Sequence, residues 1–183
     1  MPKYADRIQT MQASADIVRN LFNSMTDPET ISFGGGAPAQ EALPIDIVRE
    51  ITNEVMTKDA LGVTALQYGN PIGLRSLREM VCEYLLEPKG VRCSPDEVLI
   101  TTGGLETMNL ICQIFINPGD VILVESPTFV HCVEIFEMFQ ARCIAVETDE
   151  KGMVPADVER KIQQYRPKMV YVVPTFQNPT GKT

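Results

Sequence analysis

The chain has 183 residues, of which 44% are hydrophobic, and this is enough for a domain with a sizeable core. Its 24 acidic and 16 basic residues give a formal net charge of −8, and no basic run stands out, which argues against a nucleic-acid surface. No apolar run approaches the roughly 20 residues of a membrane helix, and the first ten residues lack the apolar core of a signal peptide. We therefore expect a cytoplasmic protein with neither a nucleic-acid nor a membrane partner.

The five cysteines lie mostly in apolar segments and show no CxxC spacing; they are Cys82, Cys93, Cys112, Cys132 and Cys143. Together with the single histidine, His131, they form a poor zinc-binding set. An odd number of cysteines in buried-looking positions is typical of reduced thiols in a cytosolic protein, so we interpret them as structural.

Residues 4–25 are predicted to form a helical arm, because their apolar residues recur roughly on one stripe. The segment ISFGGGAP follows, and its three glycines indicate tight backbone geometry, close approach by another group, or a flexible joint. Pro44 then begins a predicted helix with apolar residues at three- and four-residue steps. After a Gly/Pro/Asn loop, a second amphipathic helix is predicted, with the apolar face Leu74, Leu77, Val81 and Leu85.

From residue 97 onwards, predicted strands alternate with predicted helices. The strands are EVLITTGG, VILVES, RCIAVET and MVYVVP, and the helices are LETMNLICQIFI, a segment from Pro127 to about Phe139, and a segment that begins at Pro155. This alternation is typical of βαβ units. The strands are almost continuous apolar runs, as expected for a sheet covered on both faces. The sequence therefore predicts an α/β fold with a mostly parallel sheet and helices on both faces.

Three stretches at the predicted carboxyl ends of strands carry candidate binding groups. In TTGGLETMNL the chain turns at Gly103 and Gly104 into a helix, whose free N–H groups suit a phosphate, although a plain strand-to-helix turn is the alternative. In ESPTFVHC, Phe129 can stack on a flat ring or pack into the core. His131 lies in the same stretch, but apart from this position nothing in the sequence marks it as catalytic. In QNPTG, Asn178 offers an amide to a phenolic or carbonyl oxygen.

A phosphate cup, a stacking aromatic and an amide at one edge of a sheet fit a flat phosphorylated cofactor that bears an oxygen. Pyridoxal 5'-phosphate (PLP) is the obvious candidate. The segments ISFGGGAP, LQYGNPIGLRSLREMV, ITTGGLETM, VILVESPTF and YVVPTFQNPTG, in this order and spacing, resemble the class I and II aminotransferases of PLP fold type I. The resemblance runs from about residue 13 to residue 183, and it is greatest with the branch that includes 2-aminoadipate and kynurenine aminotransferases and MocR regulators.

The resemblance implies a role for each candidate residue near the cofactor. The backbone amides of Gly103, Gly104 and Leu105 match the turn that holds the cofactor phosphate. Many relatives have a serine or threonine at the position of Gly104, so this chain offers one fewer contact to the phosphate. Phe129 matches the aromatic residue that stacks on the pyridine ring, and Asn178 matches the amide that hydrogen-bonds the phenolic oxygen.

The resemblance also implies a homodimer. Tyr68 matches a tyrosine that reaches the phosphate of the neighbouring subunit, and Gly36 matches a backbone position beside the substrate. Residues 1–43 correspond to the arm and glycine-rich segment, and residues 44–183 to the first half of the PLP-binding large domain. The family's Schiff-base lysine, its substrate-binding arginine and the small C-terminal domain lie downstream of residue 183, and Lys182 matches nothing catalytic. We therefore expect this chain alone to be inactive, with no catalytic residue of its own.

The function implied by the resemblance is transfer of an amino group between an α-amino acid and a 2-oxo acid. The alternative within the same fold is the sensing domain of a MocR-type transcription regulator. The acidic charge and the short N-terminal arm favour the enzyme over the regulator. A non-catalytic relic with a structural role is a third interpretation.

Overall fold

The computed structural model describes residues 3, 5, 8, 19, 20, 23, 29–31, 36, 38–57 and 60–183. The predicted helical arm over residues 4–25 lies almost wholly outside these residues, and so do Gly34 and Gly35 of the glycine run. The chain divides into two compact units, one of residues 31–101 and one of residues 102–183 together with 1–30. Within the described part, no helix combines the length and apolar character needed to cross a membrane.

The unit of residues 31–101 contains helices and loops. Helix α1 is Ile45–Val55, α2 is Ala60–Ala65 and α3 is Arg75–Met80, and α3 continues through a π-helical segment, Val81–Leu86, into the 3₁₀ turn Glu87–Lys89. Both amphipathic helices predicted for this region are therefore confirmed. Further 3₁₀ turns lie at Gln40–Ala42 and Pro95–Glu97.

The predicted strand in EVLITTGG is wrong, because the described residues 98–101 form no strand. A strand needs a neighbouring strand to satisfy its N–H and C=O groups, and here the N–H of Ile100 bonds instead to the loop carbonyl of Ile72 at 3.1 Å. The residue after Ile72, Gly73, is in close contact with Ile100, so no larger residue fits there. A Cβ atom at Gly73, where φ is +101°, would lie only 2.4 Å from Cγ1 of Ile100.

A buried arginine holds this unit together. Arg78 is 2% exposed, and its guanidinium donates to the carbonyl of Gly73 at 3.2 Å and to that of Pro95 at 2.5 Å. Asp96 provides the counter-charge, with its Oδ1 3.4 Å from Nη1 of Arg78. Arg78 therefore links helix α3 and Gly73, just before the helix, to the turn Pro95–Glu97.

The unit that contains residues 102–183 is built on a parallel sheet. In chain order its elements are helix α4 Gly104–Phe115, strand β1 Val121–Glu125, helix α5 Val130–Met138, strands β2 Arg142–Val146, β3 Thr148–Asp149 and β4 Gly152–Met153, helix α6 Pro155–Tyr165 and strand β5 Met169–Tyr171. The strand order is β2-β1-β5, and all pairs in this sheet are parallel. Strands β3 and β4 form a small antiparallel hairpin that the sequence analysis missed.

The register of the sheet places β1 at its centre. Val121 lies opposite Arg142 of β2, and Ile122 lies opposite Met169 of β5. All five residues of β1 are buried, as predicted for a strand covered on both faces. The third predicted strand of this sheet, in MVYVVP, forms over three residues only.

Alternate residues of β1 enter two separate apolar clusters, since successive side chains of a strand point to opposite faces. On one face Ile122 and Val124 pack with Cys112 of α4 and with Phe136 of α5. On the other face Val121 and Leu123 pack with Val146 of β2, and Val158 and Tyr165 of α6 cover them. Helices therefore cover both faces of the sheet, which confirms the predicted architecture.

Polar contacts also hold α6 against the sheet. The buried carboxylate of Asp157 accepts a hydrogen bond from the N–H of Glu147 at 2.9 Å and from Nζ of Lys161 at 2.7 Å, and it also pairs with Arg160. The Lys161 ammonium and the Glu147 N–H hold the pKa of this carboxyl well below its usual range. The pairing anchors the first turn of α6 beyond the end of β2.

The predicted start of helix α5 at Pro127 is also wrong, because the helix begins at Val130. Proline favours the first turn of a helix, but here the carbonyl of Pro127 accepts a hydrogen bond from Nε2 of Gln177 at 2.9 Å. This contact holds the segment between β1 and α5 outside the helix.

Candidate functional site

The glycine turn before helix α4 has the geometry of an anion-binding site. Gly103 has φ +109° and ψ 172°, which only glycine adopts readily. The first hydrogen bond of the helix runs from the N–H of Thr107 to the carbonyl of Gly103 at 3.2 Å. The N–H groups of Gly104, Leu105 and Glu106 therefore point out of the helix end. A Cβ atom at Gly103 or Gly104 would meet no described atom within 4 Å, so the space in front of the turn is open.

Glu106 shapes the electrostatics of this turn. Its carboxylate accepts hydrogen bonds from both the hydroxyl and the N–H of Thr102. These two bonds lower the pKa of the Glu106 carboxyl. The carboxylate is therefore held against Thr102, the residue that precedes the glycines.

Phe129 immediately precedes helix α5 and is half-buried. Its ring packs partly on the apolar cluster around Cys112. It also makes a T-shaped contact with the ring of His131, with 5.3 Å between the ring centroids. His131 in turn lies 2.8 Å from a carboxylate oxygen of Glu134, measured from Nδ1. The structure thus combines the two interpretations of Phe129, since the ring packs on the core and keeps part of its surface exposed.

An unsatisfied hydroxyl lies next to Phe129. Oγ1 of Thr128 is buried and has no hydrogen-bond partner among the residues that the structure describes. A buried polar atom without a partner costs about 1–3 kcal/mol, so such an atom is a candidate for contact with a bound group.

Gln177 anchors the QNPTG turn to the carboxyl end of β1. It is 7% exposed, and its Nε2 donates to the carbonyl of Pro127 at 2.9 Å and lies 3.3 Å from a carboxylate oxygen of Glu125. The same oxygen of Glu125 accepts the N–H of Val173 at 3.0 Å. Oε1 of Gln177 accepts both the N–H and the hydroxyl of Thr180, at 2.9 and 2.7 Å. These contacts fix the turn around Asn178, whose own side chain is exposed.

Phe129 and Asn178 lie at the same end of the sheet because they follow the carboxyl ends of the parallel neighbours β1 and β5, and Gln177 links the two segments. Neither Gln177 nor Glu125 was predicted from the sequence to belong to this site. A charged residue that ends the apolar run VILV was a signal for Glu125, but nothing in the sequence marked Gln177, since its partners lie about 50 positions earlier in the chain.

The other two predicted site residues belong to the unit of residues 31–101. The Tyr68 side chain is fully exposed, and Gly36 has a left-handed φ of +58°. Their roles in binding the phosphate of a partner subunit and in approaching the substrate stay predictions.

A cavity of about 240 Å³ lies below the QNPTG turn and is lined by Glu125, Gln177 and Lys182, among others. None of the predicted cofactor-binding residues lines it, so it is distinct from the proposed phosphate turn. Lys182 contacts Glu150 at 3.1 Å and the carbonyl of Asp149 at 3.2 Å, which is a structural role.

Comparison with known proteins identifies the family. The family model described as "Aminotransferase class I and II" matches residues 28–183. Aromatic-amino-acid aminotransferase 1 of Thermococcus litoralis is 35% identical over 98% of this chain and 43% of that protein. The crystal structure of Pyrococcus horikoshii kynurenine aminotransferase, solved in complex with PMP, superposes with a TM-score of 0.86 at 34% identity, over 98% of this chain and 45% of that one.

A relative of a different kind also matches. The uncharacterized HTH-type transcriptional regulator YdcR of Escherichia coli is 30% identical over the whole of this chain and 39% of that protein. The chain spans less than half the length of these curated relatives. The shared fold agrees with the parallel sheet described above, and this chain belongs to the class I and II aminotransferase family.

Proposed function

We propose that the protein containing this chain is a PLP-dependent aminotransferase that moves an amino group between an α-amino acid and a 2-oxo acid. When bound, PLP carries the amino group and withdraws electrons from the reacting carbon. The observation that carries the proposal is the open glycine turn at the start of α4, in a chain of the aminotransferase family.

The described residues fit the phosphorylated cofactor. The outward-facing N–H groups of Gly104 and Leu105, together with the positive end of the α4 dipole, would hold the phosphate. The positive φ of Gly103 brings the backbone into that position, and the absence of a Cβ atom at Gly103 leaves room for the phosphate oxygens. Phe129 would contact one face of the pyridine ring. The packing of Phe129 on the α4–α5 core would fix the orientation of the phenylalanine ring.

Asn178 would orient the cofactor through its phenolic oxygen. Its exposed amide can donate a hydrogen bond, and donation to an ionised oxygen stabilises the ionised form. The Gln177 contacts with Pro127 and Thr180 fix the backbone of the turn, so the position of Asn178 is fixed as well. Gln177 is thus a positioning residue, and it touches no reacting atom.

We also propose that the active protein is a two-fold symmetric dimer. Tyr68 is fully exposed on a polar loop, so its side chain is free to reach a neighbouring molecule, and it would contact the cofactor phosphate of the neighbouring subunit. Gly36 would place its backbone beside the substrate. Sedimentation of the full-length protein at low micromolar concentration tests the dimer, and an active monomer would contradict it.

The activity is tested with full-length protein and PLP, by measuring amino-group transfer from a panel of α-amino acids to a 2-oxo acid. We expect Asn178→Ala to keep the fold and to move the pH midpoint of the bound cofactor's absorbance upwards by about one to two pH units, because loss of a hydrogen bond to a charged oxygen costs about 1.5–3 kcal/mol. Asn117→Ala, which removes an exposed loop side chain, is the matched control. An unchanged midpoint in Asn178→Ala would show that Asn178 does not contact the cofactor.

A second candidate function is the effector-sensing domain of a transcription regulator, because a relative that covers the whole of this chain is named as one. That function requires PLP binding without turnover and a separate DNA-binding domain. Multiple-turnover transfer between an amino acid and a 2-oxo acid would favour the enzyme. Binding of PLP without transfer, in a protein that also binds its own promoter DNA, would favour the regulator.

A further inference from the structure

Two cysteines that are distant in sequence lie side by side in the unit of residues 31–101. Sγ of Cys82 is 3.4 Å from Sγ of Cys93, although 11 residues separate them. Cys82 belongs to the π-helical segment Val81–Leu86, and Cys93 lies in the loop that returns along it. Both are free thiols and both are half-buried.

The backbone around the pair is fixed on both sides. The chain reverses at Gly90, where φ is +76°, and the N–H of Val91 donates to the carbonyl of Leu86 at 3.0 Å. After Cys93, the N–H of Ser94 donates to the carboxylate of Glu97 at 2.8 Å. Arg78 then holds the carbonyl of Pro95. The two sulfur atoms are therefore neighbours because of the fold of this loop.

The pair is also accessible to small molecules. A cavity of about 330 Å³ opens beside it, lined by Cys82 and Cys93 together with Glu79, Glu83, Glu87, Val91, Arg92 and Pro95. By contrast, Cys112 and Cys132 are buried in the core of the other unit. Burial raises the pKa of the Cys143 thiol to about 11, so this thiol is a poor nucleophile at neutral pH.

We propose that Cys82 and Cys93 form a reversible intramolecular disulfide and are a redox modification site of this protein. A disulfide requires an S–S distance of about 2.05 Å, so the two sulfur atoms must approach by roughly 1.4 Å. The oxidant would be a low-molecular-weight disulfide of the glutathione class.

The exchange balances as two successive displacements. The Cys93 thiolate attacks one sulfur of oxidised glutathione, which breaks that S–S bond and releases one glutathione thiolate. The Cys82 thiolate then attacks the Cys93 sulfur of the mixed disulfide and releases the second glutathione thiolate. The two protein thiols are oxidised, one glutathione disulfide is reduced to two thiols, and the two protons of the cysteines pass to the released thiolates or to water.

Cys82 suits the second step better than the first. Burial, and then the neighbouring Cys93 thiol, raise the pKa of Cys82, so less of it is thiolate at neutral pH. Once Cys93 is in the mixed disulfide, its sulfur is adjacent to Cys82, and the second displacement is intramolecular.

The test incubates the full-length protein with excess oxidised glutathione, removes the reagent, denatures the protein and counts its thiols by mass spectrometry after alkylation. We expect the count within this chain to fall from five to three, because one disulfide consumes two thiols. Cys143→Ser, the matched control, should also lose two thiols. Neither Cys82→Ser nor Cys93→Ser should form a protein disulfide.

Limited trypsin digestion identifies the bridge independently of thiol counting. Lys89 and Arg92 are exposed and lie between the two cysteines, so cleavage there cuts the loop that the disulfide closes. The oxidised wild type should migrate as one species on a non-reducing gel and as two after reduction, whereas Cys93→Ser should give two species in both. Circular dichroism of each variant shows that it is folded. A folded wild type that keeps all five thiols, or a bridge that survives in Cys93→Ser, would overturn the proposal.

Discussion

Each of the two compact units of this chain has an interior of a different kind. In the unit that contains residues 102–183, apolar side chains such as Phe136, Ile122 and Leu123 are completely buried around a parallel sheet. In the unit of residues 31–101, the buried side chain at the centre is a charged one, Arg78, and the apolar residues of α1 are mostly exposed. Ile45, for example, is 64% exposed.

This difference shows how much of the core of each unit lies within this chain. The sheet unit buries the central apolar side chains of β1, and such burial is the dominant favourable contribution to folding, but Ile114, Phe115 and Phe176 of the same unit are exposed. The helical unit has amphipathic helices whose apolar faces lack cover within the described residues, and an uncovered face of this kind marks an interaction surface. We expect other parts of the complete protein, or a second subunit, to cover these faces.

The largest expected effect contrasts two leucines. Leu123→Ala removes a completely buried side chain of β1 and should lower the free energy of unfolding by about 2–5 kcal/mol, because it loses apolar burial and leaves a cavity. In this chain by itself, without the parts expected to cover the face, Leu85→Ala removes a side chain that is 56% exposed and should cost less than about 1 kcal/mol. Urea unfolding of each variant measures both. Equal losses would mean that the face around Leu85 is covered in solution.

A smaller effect is expected at the polar centre of the helical unit. Arg78→Lys cannot donate to the carbonyls of Gly73 and Pro95 with the same fork, so at least one of these part-buried carbonyl groups loses its donor, which costs about 1–3 kcal/mol. Arg75→Lys is the matched control, since its exposed ion pairs with Glu79 and Asp96 contribute about 0–1 kcal/mol. Hydrogen exchange of residues 73–97 is the measurement. Faster exchange should occur in Arg78→Lys alone, and equal rates in both variants would show that Arg78 does not anchor this unit.

The smallest effect is confined to acid pH and to the sheet unit. The pKa of Asp157 is lower in the folded chain than in the unfolded one, where it is about 3.9, so its stabilising contribution is present above that pH and is lost as the pH falls through the folded value. The stability difference between wild type and Asp157→Asn should therefore be full at pH 7 and should close progressively below about pH 4.

Asp46→Asn provides the control for this titration, because the Asp46 carboxylate is 86% exposed and should contribute little at any pH. Urea unfolding between about pH 3 and 7 compares the two variants. A difference for Asp157→Asn that does not change with pH would show that its ionised form is not the stabilising one.

The sequence predicted those parts of the fold that depend on local patterns. Strands β1 and β2 and helices α1, α4 and α6 follow from apolar periodicity and proline placement, and the glycine turn follows from its two glycines. The strand over residues 98–101 was wrong because a strand also requires a partner, which no local pattern supplies.

Long-range polar contacts were the other part that the sequence did not reveal. The bond from Gln177 to Glu125 joins residues 52 positions apart, and Cys82 meets Cys93 without any recognised spacing. Arg78 lies on a helix where a charged residue normally indicates a solvated face, yet it is buried because two backbone carbonyls converge on it. Each of these contacts depends on tertiary geometry.

The most direct test of the account concerns the phosphate turn, and it compares the affinities of full-length protein for PLP and for pyridoxal, which lacks the phosphate. Gly104→Asp places a carboxylate in the open space at the start of α4, where it is compatible with the helix dipole but repels a phosphate. Gly104→Asn is the uncharged control of the same size. A unit charge about 4 Å away contributes between about 1 and 4 kcal/mol, so Gly104→Asp should weaken PLP binding by at least about fivefold. It should leave pyridoxal binding unchanged, and Gly104→Asn should leave both affinities close to those of the wild type. Equal PLP affinity in Gly104→Asp and wild type would contradict the assignment of the phosphate to this turn.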